Sequence, residues 1–328
     1  MKRRDFILLL AGSVSLGTAA AQAQDPAPPV IGFLGPQSPV PGLLASFHRG
    51  LNEFGFFDGR NVAIEYQWVL SQNRGLPDLA AELVRHRVAL IVCTDGLRAA
   101  KVAREATATI PIIFVGVGFD PVDNGFVTSF NRPGGNITGL SLLNAGLLSK
   151  RLDLLQQLVP RAAKITYLMN DDSVGLGPSE IKQQEAERQI AAKLGLVIQY
   201  ARNASDIDSA FAEMTRQRPD ALLVGSDPVF SRQRVQIVAL AERYKLPASY
   251  SRREFADAGG LMSYGPNRSE SWRQVGRYAG RILKGARPED LPVRLDDKYE
   301  LVINGRTATA LGLTLPPLLH AIADDMIE

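Results

Sequence analysis

The run Ala89-Leu-Ile-Val-Cys93-Thr-Asp95-Gly returns 132 positions later as Ala221-Leu-Leu-Val-Gly225-Ser-Asp227-Pro, an apolar stretch closing both times on a hydroxyl and an aspartate. Three further pairs keep the same chain order at offsets of 134 to 136: Val30-Ile-Gly-Phe-Leu with Lys164-Ile-Thr-Tyr-Leu, Ile64-Glu-Tyr66 with Ile198-Gln-Tyr200, and Ile110-Pro111 with Leu246-Pro247. One short apolar match is commonplace, but four in order argue for a duplicated unit. Two facing copies of one α/β lobe enclose a cleft, and that decides where function is sought.

At 328 residues the chain exceeds what a single hydrophobic core ordinarily supports, so two domains are expected. Its 45% hydrophobic and 22% charged residues suit a soluble globular protein, and no segment after the N-terminus is apolar enough to span a bilayer. The first residues differ. Lys2-Arg3-Arg4-Asp5-Phe6 precedes an apolar stretch from Ile7 to Leu16, and Ala21-Gln22-Ala23 supplies a small-x-small cleavage site. Residues 1–23 therefore read as an export signal, with Gln24 the first mature residue and the paired arginines suiting the twin-arginine route. A lipoprotein would carry cysteine at the cleavage site, where Gln24 and Asp25 stand, so the mature protein is expected free in the periplasm.

Removing Lys2, Arg3, Arg4 and Asp5 takes the totals of 37 basic and 34 acidic residues to 34 and 33. A nearly neutral chain with no basic run among aromatics gives no support for nucleic-acid binding. The one cysteine, Cys93, lies inside an apolar run and has no partner for an intramolecular disulfide.

From Val30 onward, short β-branched runs alternate with amphipathic stretches, the pattern of βαβ units and a mostly parallel sheet. Strands are expected at 30–34, 62–68, 89–93 and 112–117, and again at 164–169, 197–201, 221–224 and 248–250. Helices are expected at 43–54, 76–87, 97–108, 180–194, 206–216, 232–244 and 269–284. The turn-rich stretches Asn131 to Leu140 and Ala258 to Asn267 read as crossings between halves, and Pro288 and Pro292 bound a connector to a strand at 301–303 and short terminal helices.

Ligands of open parallel sheets bind beyond the carboxyl ends of the strands, where loops and helix N-termini offer unpaired N–H groups. That rule selects Gln37, Ser38, Thr94, Asp95, Gly116 and Val117 in the first half. In the second it selects Asn170, Asp171, Ser226, Asp227, Phe230 and Tyr250, with Tyr264 beside the second turn cluster. Asp120-Pro121 and Asp227-Pro228 also fit helix caps, since proline favours the first helical position, which leaves Asp95 the stronger ligand candidate. Signals for catalysis are weak. His48, His86 and His320 stand apart on helices without zinc-site spacing, no G-x-S-x-G elbow or P-loop occurs, and no metal or cofactor is expected.

Several longer segments carry a resemblance: Glu53-Phe-Gly-Phe-Phe-Asp-Gly-Arg-Asn-Val-Ala-Ile-Glu-Tyr66, Asn131-Arg-Pro-Gly-Gly-Asn-Ile-Thr-Gly-Leu-Ser141, Arg253-Glu-Phe-Ala-Asp-Ala-Gly-Gly-Leu-Met-Ser-Tyr-Gly265 and Tyr299-Glu-Leu-Val-Ile-Asn304. With them the chain resembles the TrpX-like periplasmic binding proteins, substrate-binding subunits of ABC transporters. The resemblance implies an α/β type I periplasmic binding fold, two Rossmann-like lobes with mostly parallel sheets joined by a hinge of three connecting strands. It implies residues 30–140 with 266–292 in the N-terminal lobe, 141–265 with 304–328 in the C-terminal lobe, and 293–303 as a crossover connector. It further implies a small ligand, an amino acid or relative with an aromatic side chain among the options, delivered by a monomer to an inner-membrane permease and its ATPase without chemistry. A LacI-like regulator would need a DNA-binding motif where this chain has an export signal. A secreted α/β enzyme would need a reactive constellation that is not visible, and a periplasmic partner of a sensor receptor stays open.

Overall fold

The computed structural model describes residues 27–36, 38, 40–69, 75–94, 96–117, 120–142, 147–172, 178–296 and 298–328. The expected export signal, Gln37, Asp95 and Ser173 lie outside the described residues. In the first half, β1 (Val30–Gly35), β2 (Ala63–Trp68), β3 (Leu90–Cys93) and β4 (Ile112–Val117) alternate with α1 (Pro41–Asn52), α2 (Leu76–Arg85) and α3 (Leu97–Ala106), followed by β5 (Ile137–Leu142). In the second, α4 (Leu147–Leu158) leads into β6 (Ile165–Met169), α5 (Pro178–Lys193), β7 (Val197–Tyr200), α6 (Ala204–Gln217) and β8 (Ala221–Val224). Then come α7 (Pro228–Arg232), α8 (Arg234–Arg243), β9 (Ala248–Tyr250), α9 (Arg253–Asp257) and β10 (Met262–Pro266). The tail holds α10 (Arg268–Leu283), β11 (Arg294–Asp296), β12 (Tyr299–Asn304), α11 (Gly305–Ala310), α12 (Pro317–Ile322) and β13 (Asp325–Ile327).

Two sheets result. One runs β11-β5-β4-β3-β1-β2, the other β13-β12-β10-β9-β8-β6-β7. Renumbered within its half, each contains the same parallel order 2-1-3-4-5, which is the expected duplication written as topology. All four repeated sequence pairs fall on or beside corresponding strands. Each sheet is packed on both faces: Leu34, Ile91 and Phe114 face α2 and α3, while Phe33, Val92 and Ile113 face Phe47, Trp272 and Val275 of α1 and α10. The second sheet repeats this with Tyr167 and Leu223 on one side and Leu168, Leu222 and Val224 on the other. Strands buried on both faces read as continuous apolar runs, which is why they were legible.

The register refines the repeat. Leu34 pairs with Cys93 and Leu168 with Val224, so Thr94 corresponds to Gly225 and Gly96 to Asp227, an offset of 131. The backbone agrees, because Thr94 N donates to Leu34 O at 2.9 Å and Gly225 N to Leu168 O at 2.8 Å. Ser226-Asp227 therefore matches positions 95 and 96, one residue away from the pairing that the residue types suggest.

Both turn-rich stretches behave differently from expectation. Only 131–136 is a turn, and 137–142 continues as β5, fully buried in the first sheet. Residues 262–266 form β10 in the second. Their glycines serve close packing: a Cβ on Gly139 would lie 2.2 Å from Phe114 O, and one on Gly265 1.9 Å from Ser251 O. The chain crosses between sheets after each of these strands and again between β11 and β12. The helix expected at 232–244 is α8, and the short α7 precedes it, separated at Gln233, whose φ of −92° and ψ of 19° leave the helical region.

Candidate functional site

Where strand order reverses, the loops leaving two neighbouring strands diverge and open a crevice at their carboxyl ends. The duplicated order places one such point between β1 and β3 and another between β6 and β8. Gly35, Pro36, Ser38, Thr94 and Gly96 belong to the first, and Asn170, Asp171, Asp172, Gly225, Ser226 and Asp227 to the second.

At the first point space is tight. A Cβ on Gly35 would sit 2.0 Å from Thr94 Oγ1 and 3.3 Å from the Trp68 ring at the end of β2. Thr94 is fully buried, and its hydroxyl has no hydrogen-bond partner among the described residues. A buried hydroxyl without a partner carries a free-energy cost, and a ligand polar group would relieve it. Trp68 is half-buried and lies in a cluster with Phe33 at 6.1 Å and Tyr66 at 5.7 Å. The first wall thus combines an indole with a buried hydroxyl.

At the second point most acids are already engaged. Asp227 caps α7, its Oδ1 accepting from Val229 N at 2.6 Å behind Pro228, the expected arrangement. Asp171 accepts a bidentate pair from Arg202 Nε and Nη2 at 2.7 and 3.0 Å, and this holds its carboxyl below the usual range. Asn170 Oδ1 accepts from Asp172 N at 2.9 Å in a local turn. Asp120 likewise accepts from Val122 N and Asp123 N, but it closes a turn rather than a helix.

Beneath the second point lies a buried polar network with no counterpart in the sequence reading. Arg151 of α4 is 3% exposed, and its Nη2 donates to Val224 O at 2.6 Å, at the end of β8, and to Ser249 O at 2.7 Å, in the middle of β9. Tyr167 donates to Glu187, and burial raises the pKa of both groups. Asp227 adds to the rise at Glu187, while Tyr167 and Arg151 oppose it. No periodicity marks Arg151, since Ser-Lys-Arg in a helix looks like a solvated face. Trp68 had a signal, an aromatic closing a strand, whereas Ser249 enters the network through its backbone carbonyl and gave none.

The other expected residues are dispersed. Gly116 is buried on β4 beside Ser141, and Val117 pairs with Leu142. Phe230 is fully buried in the second lobe's core. Tyr250 stacks on Phe255 at 4.7 Å, and burial raises its phenol pKa. Tyr264 packs against Tyr299 at 5.9 Å beside the crossings. There, Asn267 N donates to Lys298 O at 2.8 Å, joining the second and third crossings, and Arg268 pairs with Glu254 at 2.5 Å. Burial works to raise the Glu254 pKa, but Arg268 and Arg252 outweigh it and leave it below the ordinary value.

Among the described residues no group of three or more metal-ligating side chains gathers, and no helix is long and apolar enough to cross a membrane. Cys93 is buried and its thiol pKa raised by that burial, the opposite of an activated nucleophile. The arrangement suits enclosure of a solute between two walls.

Known proteins agree. The tyrosine-binding protein of Clostridioides difficile (strain R20291) is 28% identical over 269 residues, 81% of this chain and 75% of that protein. A conserved domain protein from Vibrio cholerae O1 biovar El Tor superposes with a TM-score of 0.76 at 25% identity, covering 91% of this chain and 99% of the other. An ABC domain from Streptococcus pneumonia, solved with L-Trp, superposes with a TM-score of 0.73 at 24% identity over 92% and 100% of the two chains. These likenesses share the two-lobe fold, and the family they represent binds solutes and works outside the cytoplasm. The model for "ABC transporter substrate binding protein" matches residues 42–327, and the chain belongs to that family.

Proposed function

We propose that the solute is an α-amino acid with an aromatic side chain, held between the two strand-reversal points and released to a permease when the lobes part. The observation that carries this reading is the first wall, where the Trp68 ring and a Thr94 hydroxyl with no partner among the described residues converge over Gly35. An indole offers a stacking surface of about the right kind for a phenol or indole ligand. The 28% identical relative is a tyrosine-binding protein, which favours the same class. The ammonium would pair with Asp95, since Asp227 serves its helix, and the carboxylate would take hydroxyls and N–H groups near Ser38, Thr94 and Ser226.

Lobes that follow the two sheets, 30–142 with 268–296 and 147–266 with 299–328 against the expected 30–140 with 266–292 and 141–265 with 304–328, would close about the three crossings, because only a ligand touching both walls distinguishes closed from open. The protein acts as a monomer, exported through the twin-arginine route and free of lipid, with a mature N-terminus at Gln24.

A thermal-shift screen against tyrosine, tryptophan, phenylalanine, aliphatic amino acids and small cations tests this. A true ligand at a hundred times its dissociation constant adds about 2.7 kcal/mol of stability. Stabilisation by aliphatic amino acids alone would overturn the aromatic assignment, and product formation would overturn the binding role. Affinity for the best ligand is expected to fall at least tenfold in Asp95→Ala, and an unchanged affinity refutes that contact.

A further inference from the structure

At the end of α1 opposite its start beside the first strand-reversal point, three elements line a groove of about 650 Å³. They are the end of α1, the outer side of α10, and the segment entering β11. Its lining carries three guanidiniums, Arg277, Arg281 and Arg294, against one carboxylate, Glu53. That carboxylate is already divided between Arg277 and its neighbour Arg273, at 2.5 and 2.6 Å. Arg281 and Arg294 are exposed and meet no carboxylate among the described residues: Arg281 lies over the Tyr278 ring at 5.9 Å, and Arg294 reaches only Gln274 Oε1 at 3.4 Å. Lys284 adds a further cation over Phe54 at 5.5 Å.

The sequence explains the alignment. Arg273, Arg277 and Arg281 recur every four residues, so they share one helix face over about 12 Å of its axis. With export-signal charges removed the chain is nearly neutral, so this face is a local concentration and does not follow from overall basicity. Glu270 offsets it only at the Arg273 end, at 3.6 Å.

From this face we propose a second binding site, one that seats the phosphate of an anionic lipid headgroup and holds the protein against the membrane carrying its transporter. Forked guanidiniums match phosphate oxygens bidentately, and a concave floor admits a single headgroup. Each cation near an anionic leaflet contributes about 1 kcal/mol. Losing Arg281 and Arg294 is therefore expected to weaken partitioning about thirtyfold. The site is independent of which solute the cleft takes.

The test is co-sedimentation of the purified protein with phosphatidylglycerol–phosphatidylcholine vesicles and with pure phosphatidylcholine vesicles, at low and physiological salt. The expected result is binding to the anionic vesicles alone, weakened by salt, and reduced about thirtyfold in the double variant Arg281→Gln, Arg294→Gln with its melting temperature unchanged. Arg287→Gln removes an equal kind of charge outside the groove, from a side chain paired with Glu289 and Asp290, and is expected to alter binding less than twofold. Three results would overturn the proposal. The wild type ignores anionic vesicles; Arg287→Gln weakens binding as much per charge as the groove variants; or inorganic phosphate or an acidic peptide saturates the groove while vesicles do not.

Discussion

Arg151→Met isolates the contribution of the network under the second strand-reversal point. The native guanidinium makes two short bonds to Val224 O and Ser249 O in a fully dry setting. Methionine keeps much of the volume and strands both carbonyls, each at about 1–3 kcal/mol. Against this stands the relief of desolvating a cation, which burial already reflects by lowering the Arg151 pKa. Glu187 loses a nearby cation that opposes the rise burial causes in its pKa, so that rise is expected to grow. The balance is a destabilisation of about 2–4 kcal/mol, or a melting temperature lower by about 3–6 °C for a chain of this length. Val224 immediately precedes Gly225-Ser226, so its shift moves the second wall, and solute affinity is expected to fall at least tenfold. Scanning calorimetry and titration calorimetry read the two effects, and Arg151→Lys, with one compact ammonium in place of a fork, should fall between. A variant whose melting temperature and affinity both match the wild type would refute the idea that Arg151 braces the strand ends.

Thr94→Val removes a buried hydroxyl with no partner among the described residues at nearly constant volume, so stability is expected to hold or rise by about 1 kcal/mol while affinity falls. Loss of stability with affinity intact would show that the hydroxyl serves the fold. Asp227→Ala should cost about 1 kcal/mol, as expected for a helix cap, with affinity changed less than threefold; a large affinity loss would restore it to the ligand. Burial pushes the Glu300 carboxyl up to about 7, with Arg253 opposing, from an unfolded value of 4.5. The folded state then holds a proton that the unfolded state has released, so this group's stabilisation is full below 4.5 and is lost as pH rises through 7. Melting temperatures across that window should decline less in Glu300→Gln than in the wild type, and parallel profiles would refute the assignment.

Most of the architecture was legible because parallel strands buried on both faces appear as uninterrupted apolar runs. The expected strand at 112–117 and the one at 221–224 match β4 and β8 to the residue. Glycine is where local composition misleads. Gly139 and Gly265 signal turns by composition, yet both sit in extended strands where a neighbouring carbonyl leaves no room for a Cβ. Close approach is a tertiary fact, set in these cases by Phe114 and Ser251, and local sequence does not contain it. With β5 taken for a crossing, the leucine-rich α4 that follows had no place, and Arg151 went with it.

The site was legible as a location and less so as a set of side chains. Strand ends were correct places to look because topology alone puts them at the crevice. Residue type then misled in one respect, since matching hydroxyl and aspartate in the two halves invites the pairing of Asp95 with Asp227. Ladder register moves that pairing by one: Asp227 occupies the cap position that Gly96, with a φ of 105°, holds in the first lobe. The first lobe leaves its helix without a side-chain cap, whereas the second supplies one and secures the strand ends with Arg151 from behind. A duplicated scaffold has thus diverged into one wall whose strand-end loop is capped by Asp227 and braced by Arg151, and one whose strand-end hydroxyl, on Thr94, has no hydrogen-bond partner among the described residues. Discrimination among solutes is accordingly expected to respond more to changes at Gly35, Trp68 and Thr94 than to changes at Asp171 or Asp227.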